Sequence, residues 1–424
     1  MRESMNITSS TYAAALLTLP WGVPLEQWPA ELITALPRGI SRHVVRFIEL
    51  GAAPTQGVDA RTGVVAVKEI GVRTAHHEYK MLRELQRLGA PSVRPVAVIT
   101  GRHPAEEDYG ELTAALVTEH LEFSLPYREI FSRHLTVVDA EKLIRALSVL
   151  LVRMHLLNFY WGDVSLSNTL FRRDAETYSA YLVDAETGEF QPSLSESRRL
   201  YDVDIARVNI IGELMDLQAG ECLDKSIDVI ALGGLVESSY LELWTELTAE
   251  ESVDASEYWR VSERIDRLNQ LGFDVGELKV TKDDSRQVVR IRPVVVDPGH
   301  YRAELLSLTG LSVEEHQAQR LLGSIQAYQA VECGPHVGLT QAAHLWMTNE
   351  YEPTIAAVPV EMLDKLEPAQ IFHEIVDHRW FLAQERGGAV TLPEATASYL
   401  ESVLPARRDE ARLLSTNPSD EDLS

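Results

Sequence analysis

Trp161-Gly162-Asp163-Val164-Ser165-Leu166-Ser167-Asn168-Thr169-Leu170-Phe171 decides how this chain is read. Asp163 is followed five residues later by Asn168, and sixteen residues after that Tyr181-Leu182-Val183 runs into Asp184. An amide oxygen and a carboxylate are hard oxygen donors of the kind Mg²⁺ takes. A further carboxylate beside them can orient a hydroxyl. Phosphoryl transfer asks for little more, because its catalysis is mostly positioning and neutralisation of charge.

Working outward, Gly63-Val64-Val65-Ala66-Val67-Lys68-Glu69-Ile70 is the clearest strand signal in the chain, and Lys68 closes its apolar run. An ammonium at the end of a buried strand needs an anion, and a carboxylate on the next helix can hold it in place. That helix is predicted over Ala75 to Leu88, with Tyr79, Leu82, Leu85 and Leu88 as its apolar stripe and Gly89 and Pro91 ending it. Glu78, near its start, is the expected partner of Lys68, with Glu84 as the alternative. Pro37 to Arg42 is a compact turn with two cations, and Arg38, Gly39, Ser41 and Arg42 sit where a phosphate-covering turn could lie.

Further strands are expected at His43–Leu50, Val93–Ile99 and Leu112–Leu121, with a turn over Gly51–Gly63. Ser124–Arg133 reads as a crossover, and Asp139 as the N-cap of a long helix to Leu157. Short strands (Thr169–Arg172, Tyr181–Val183) flank the polar loop. Beyond Gln191 the pattern is helical at Asp202–Leu217, Ser239–Leu247, Glu257–Leu271, Glu314–Ala330 and Pro359–Gln384, with a strand at Val288–Val296 that Pro293 interrupts. This order gives an α+β, two-lobed architecture followed by a mainly helical C-terminal domain. The expected divisions are an N-terminal arm (1–30), an N-lobe (31–123), a C-lobe (124–235), the helical domain (236–405) and a polar tail (406–424).

The 424 residues carry 39 Lys and Arg against 64 Asp and Glu, a net charge of −25. That disfavours nucleic acid and anionic lipid as partners. Two distant cysteines, Cys222 and Cys333, make neither a disulfide framework nor a metal motif, as suits a cytoplasmic protein. No secretory signal is expected, since the apolar stretch Tyr12–Leu19 is short and ends at Pro20. No membrane span is expected either, because Leu143–Leu157 is broken by Arg145, Arg153 and His155. His373-Glu374-Ile375-Val376-Asp377-His378 looks like a zinc helix, but its histidines are five apart and cannot share a helical face. It is read as structural.

The stretch from Gly39 to Gly188 resembles the protein-kinase-like superfamily, most nearly its small bacterial branches such as the lipopolysaccharide (Kdo-type) kinases. The resemblance implies that Lys68 contacts nucleotide phosphates, that Glu78 pairs with Lys68, that Asp163 is the catalytic base and that Asn168 and Asp184 bind Mg²⁺. It puts Asp202 or Asp204 where a buried acid braces the catalytic loop, a helix N-cap being the other reading, and His155 at the end of the preceding helix as a structural hydrogen bonder. The chain as a whole also resembles an uncharacterised bacterial family, a domain of unknown function with a lipopolysaccharide-kinase-like portion. Gly162 replaces the usual Arg or His, Asp184-Ala185-Glu186 stands where Asp-Phe-Gly is usual, and no glycine-rich loop is present. The expected activity is ATP- and Mg²⁺-dependent phosphoryl transfer to the hydroxyl of a sugar, metabolite or protein. The alternatives are a pseudokinase or nucleotide-sensing scaffold that binds a partner protein, and nucleotidyl transfer on the same fold.

Overall fold

The computed structural model describes residues 4–9, 11–34, 43–50, 63–131, 135–249, 251–254, 258–270, 273–283, 288–297, 299–334 and 336–411. The turns expected at 37–42 and at 51–62 lie outside them. The described residues divide into two compact units. One holds the chain up to Phe171 together with Ala180–Glu237; the other holds Arg172–Ser179 and Ser238–Ala411.

The first unit opens with β1 (Asn6–Ser9) and a single turn, α1 (Ala13–Leu16). Next come β2 (Val45–Leu50), β3 (Gly63–Ile70), α2 (Val72–Arg87), β4 (Pro95–Thr100) and β5 (Ala114–Glu119). The strands form one sheet in the order β1-β4-β5-β3-β2, antiparallel throughout. β1 escaped the sequence reading because Asn-Ile-Thr-Ser has too little apolar alternation to signal a strand; its pairing with β4 makes it one.

Period-two alternation gives β3 two jobs. Val65 and Val67 face a core built with the N-terminal arm, including Leu16, Trp21, Leu25 and Trp28. Glu69, on that same face, accepts from Leu25 N and pairs with Arg102, whose guanidinium also donates to the carbonyls of Trp21 and Val23. Lys68 therefore points the other way, towards α2.

The chain continues through β6 (Ser124–Pro126) and α3 (Tyr127–Phe131) into α4 (Val137–Leu156). The expected Asp139 N-cap is corrected. Thr136 caps α4, its Oγ1 accepting from Asp139 N at 3.1 Å, while the Asp139 carboxylate accepts from that hydroxyl at 2.7 Å. Threonine wins the position because its oxygen reaches the third helical N–H. Leu143, Leu147, Leu150 and Met154 of α4 are fully or almost fully buried. After α4 come β7 (Phe159–Tyr160), the polar loop, β8 (Thr169–Asp174), β9 (Thr177–Leu182) and β10 (Glu189–Phe190), then α5 (Glu196–Ala219) and α6 (Val229–Thr248). β7, just before the polar loop, pairs antiparallel with β10.

In the second unit, β11 (Glu251–Asp254), β12 (Asp274–Asp283) and β13 (Val288–Asp297) form an antiparallel sheet in the order β11-β13-β12, beside α7 (Tyr258–Gln270). β12 was not expected. Pro293 does not interrupt β13: it pairs opposite Leu278 and lies past the stretch that β11 pairs, where a missing N–H is tolerated. The helices are α8 (His300–Thr309), α9 (Glu315–Tyr328), α10 (Leu339–Trp346), α11 (Glu352–Ala356), α12 (Pro368–Arg386) and α13 (Leu392–Ser402). The single helix expected over Pro359–Gln384 is instead a 3₁₀ turn at Val360–Met362 followed by α12. Pro368 has no N–H to give a helix interior but suits a first turn, so it starts a new helix. Trp346, Tyr351 and Phe372 centre one core, and Ile371, Ile375 and Tyr399 another.

The second unit includes the tip of the β8–β9 hairpin, and ion pairs hold it there. Arg172 meets Glu314 at 3.0 Å and Glu367 at 2.8 Å, and Arg173 meets Glu410 at 2.8 Å. Among the described residues no helix is long and apolar enough to cross a membrane.

Candidate active site

Three of the singled-out residues converge on one ammonium. Lys68 Nζ lies 2.8 Å from Glu78 Oε2 and 2.9 Å from Asp184 Oδ2. Strand alternation aims Lys68 at α2, and Glu78 lies on the buried face of α2, only 1 % exposed. Glu84, the alternative partner, instead pairs with Arg87 at the surface. Two carboxylates share one cation, which leaves an uncompensated negative charge. Burial works against the Lys68 ammonium, but Glu78 and Asp184 outweigh it and raise its pKa above the ordinary lysine value. Burial, reinforced by the charge of Asp184, pushes the Glu78 carboxyl up to about 7.

This shift gives a signed expectation. Between the ordinary glutamate value and about 7, the folded protein holds a proton on Glu78 that the unfolded chain has released. Stability therefore falls as pH rises through that window. Lys68 stays charged in both states there and adds no slope. Glu78→Gln is expected to flatten the profile, as read by urea unfolding at intervals from about pH 4.5 to 8. An unchanged slope in the variant would assign the titration to another group.

The polar loop is fixed by a second buried acid. Asp202 Oδ2 accepts from Trp161 N at 2.8 Å, Asp202 Oδ1 accepts from Gly162 N at 2.8 Å, and His155 Nε2 lies 3.1 Å from Oδ2. Burial holds His155 below the ordinary histidine range despite Asp202, so the neutral ring donates from Nε2. Asp202 sits inside α5, whose N-cap is Ser195, so the capping reading of Asp202 is set aside. Asp204 also lies within α5, exposed and paired with Arg207.

Gly162 adopts φ +79°, the left-handed region. A Cβ there would lie 3.0 Å from Tyr160 Cε1 and 3.2 Å from Thr187 O. A larger side chain here would combine that backbone strain with crowding against Tyr160 and Thr187. Gly162→Ala is expected to cost about 1–2 kcal/mol from backbone strain alone, measurable as a lowered melting temperature. A neutral substitution would show that the loop relaxes freely.

Asn168 Nδ2 donates to Asp163 O at 2.9 Å and to Asp163 Oδ2 at 3.1 Å. Those two bonds fix the amide and turn its Oδ1 away from Asp163. Asn168 O accepts from Val183 N at 3.0 Å, tying the loop to the strand that delivers Asp184. Asp184 O accepts from Trp161 Nε1 at 3.0 Å, and Asp184 Oδ1 accepts from Glu186 N at 2.8 Å. Ala185, completely buried, brings only a methyl group, so hydrogen bonds rather than a packed ring hold this turn. Arg38, Gly39, Ser41 and Arg42 lie outside the described residues. Glu189 is an exposed acid near Arg198, and Glu186 lies 3.2 Å from His43.

Sequence reasoning missed Glu213. From α5 it accepts from Leu166 N at 2.8 Å and Ser167 N at 2.9 Å, and from the Ser167 hydroxyl. Its pKa is raised by burial, which those donors only partly offset. A lone acid in mid-helix gives no sequence signal. The indole of Trp161 was missed too, although its position next to Gly162-Asp163 was available as a clue.

Residues 63–207 match the lipopolysaccharide kinase (Kdo/WaaP) family. This segment is protein-kinase-like. It contains Lys68, Glu78, Asp163, Asn168, Asp184 and Asp202, while Glu213 lies just beyond it. Residues 242–404 match a domain of unknown function, DUF4032, which covers most of the helical second unit. Among solved structures the chain is similar to one described as WaaP in complex with acyl carrier protein, at 15 % identity and a TM-score of 0.34, covering 63 % of this chain and 99 % of that one. No curated protein matches the chain in sequence.

The kinase-like segment carries hard oxygen donors of the kind Mg²⁺ takes: the Asp184 carboxylate, which shares the Lys68 ammonium with Glu78, and the amide Oδ1 of Asn168.

Proposed function

We propose that this protein is a Mg²⁺-dependent phosphotransferase that moves the γ-phosphoryl group of ATP to a hydroxyl. The observation that carries the reading is the Lys68 ammonium held between Glu78 and Asp184. In the proposed reaction Lys68 binds the nucleotide phosphates, and Glu78 keeps it extended towards them. Asp163, its carboxylate oriented by Asn168, takes the proton from the acceptor hydroxyl as the new P–O bond forms and the bond to the departing ADP breaks. Asn168 and Asp184 would hold Mg²⁺, which when bound neutralises charge on the phosphates. Asp202, Glu213 and the Trp161 indole keep these groups in register. The acceptor class proposed is a sugar, a metabolite or a protein side chain.

ATP labelled in turn at the γ and α phosphorus tests this. Label from the γ position on an acceptor supports phosphoryl transfer. Label from the α position replaces it with nucleotidyl transfer, and hydrolysis or transfer of neither points to a nucleotide-sensing scaffold. Binding is checked separately. Mg·ATP at 100 times its dissociation constant is expected to stabilise the fold by about 2.7 kcal/mol, and Lys68→Met to abolish that thermal shift. No shift in the wild type at millimolar nucleotide would remove the nucleotide from the reading.

A further inference from the structure

The histidine pair that looked like a zinc helix separates in the structure, but one of its members joins a different cluster. His378 Nε2 meets Ser398 Oγ at 3.0 Å. His373 Nε2 instead lies 3.3 Å from Asp377 Oδ2 and 3.7 Å from Glu176 Oε1. His373 and Asp377 are four apart on α12, the spacing that puts two side chains on one helical face. Glu176 comes from the tip of the β8–β9 hairpin, which belongs to the same unit. The three donor atoms all lie within 4.8 Å of one another.

The 3.3 Å separation is that of two ligands on one ion, and the 3.7 Å separation would have to close slightly to become one. Donors about 2.1 Å from a common ion sit roughly 3.0–3.5 Å apart in octahedral or tetrahedral geometry. His373 is 7 % exposed, whereas both carboxylates reach solvent, so an ion has a way in. Burial also holds His373 below the ordinary histidine range, which favours the neutral ring that ligates metals. One imidazole with two carboxylates suits a first-row transition ion better than Mg²⁺ or Ca²⁺. The guanidinium of Arg320 also pairs with Glu176 and is the cation that such an ion must outcompete.

We propose that Glu176, His373 and Asp377 form a binding site for a divalent first-row transition ion, separate from the residues of the kinase-like segment, with Arg320 as the competing cation. Such an ion would clip the hairpin tip to α12.

The test is calorimetric titration of Zn²⁺ into the full-length, chelator-stripped protein in millimolar Mg²⁺, which occupies oxygen-only sites. The expected result is one zinc per chain, weakened at least about tenfold by Asp377→Asn or Glu176→Gln, each worth 1.4 kcal/mol or more on that scale. Both carboxylates are exposed, so these variants are expected to fold. Arg320→Gln is expected to tighten zinc binding, an effect that a purely structural ion-pair network cannot give. Wild-type zinc affinity in both carboxylate variants, or no tightening in Arg320→Gln, would overturn the site.

Discussion

Asp163→Asn is expected to lower the rate of phosphoryl transfer by about 100- to 10,000-fold, the range for loss of a general base. The substitution is nearly isosteric, and the new side-chain oxygen can still accept from Asn168 Nδ2, as the carboxylate does now at 3.1 Å. The loop should therefore keep its shape. Folding stability is expected to stay within about 0.5 kcal/mol of wild type, and the thermal shift with Mg·ATP should persist. The discriminating measurement is the pair: turnover of γ-labelled ATP and nucleotide binding on the same preparation. Full turnover in the variant would mean that Asp163 is not the base. Loss of both turnover and binding would mean that its role is to shape the site.

The second large effect belongs to Asp202, which touches no reacting group. Its carboxylate is completely buried and serves Trp161 N, Gly162 N and His155 Nε2 together. Asp202→Ala leaves those donors buried without an acceptor, and each such loss costs about 1–3 kcal/mol. The expected destabilisation is therefore about 3 kcal/mol or more, or roughly 6–12 °C for a unit of this size. Asp202→Asn keeps one acceptor oxygen and should fall between. Thermal unfolding of both variants checks the ranking. An alanine variant as stable as wild type would show that the loop is held by Glu213 and the strand pairing instead.

The two predictions separate holding the loop from using it. Asp163 is assigned to the proposed chemistry and is expected to contribute little to folding. Asp202 holds the backbone of the same loop and is expected to contribute much. Glu213 is a second anchor further along the same loop, so the stretch from Trp161 to Ser167 is bound to α5 by two acids. Rigid backing of this kind is what a site that works by positioning requires.

Several features were legible in the chain because they are local. Strand alternation around Lys68 and the stripe on α2 are set by neighbours within a few residues, where covalent geometry fixes which side chains share a face, and the spacing of Asp163, Asn168 and Asp184 was readable as a pattern along the chain. The choice of Glu78 over Glu84 was of this kind. The first points inward on α2, while the second pairs with Arg87 one turn away at the surface. The Asp139 cap failed on equally local ground: two capping residues stood three apart, and backbone geometry chose Thr136.

What the amino-acid sequence determined by itself, then, was the kinase-like order of strands and helices and the pairing of Lys68 with Glu78. Only the tertiary structure decided that Asp202 braces the loop rather than capping a helix, that Glu213 helps it, that β1 exists as an edge strand, and that His373 turns to Asp377 and Glu176 rather than to His378. Each of these contacts except the His373–Asp377 pair joins residues about 40 or more positions apart. Such contacts depend on which elements pack together, and burial makes their polar groups find partners wherever the fold supplies them.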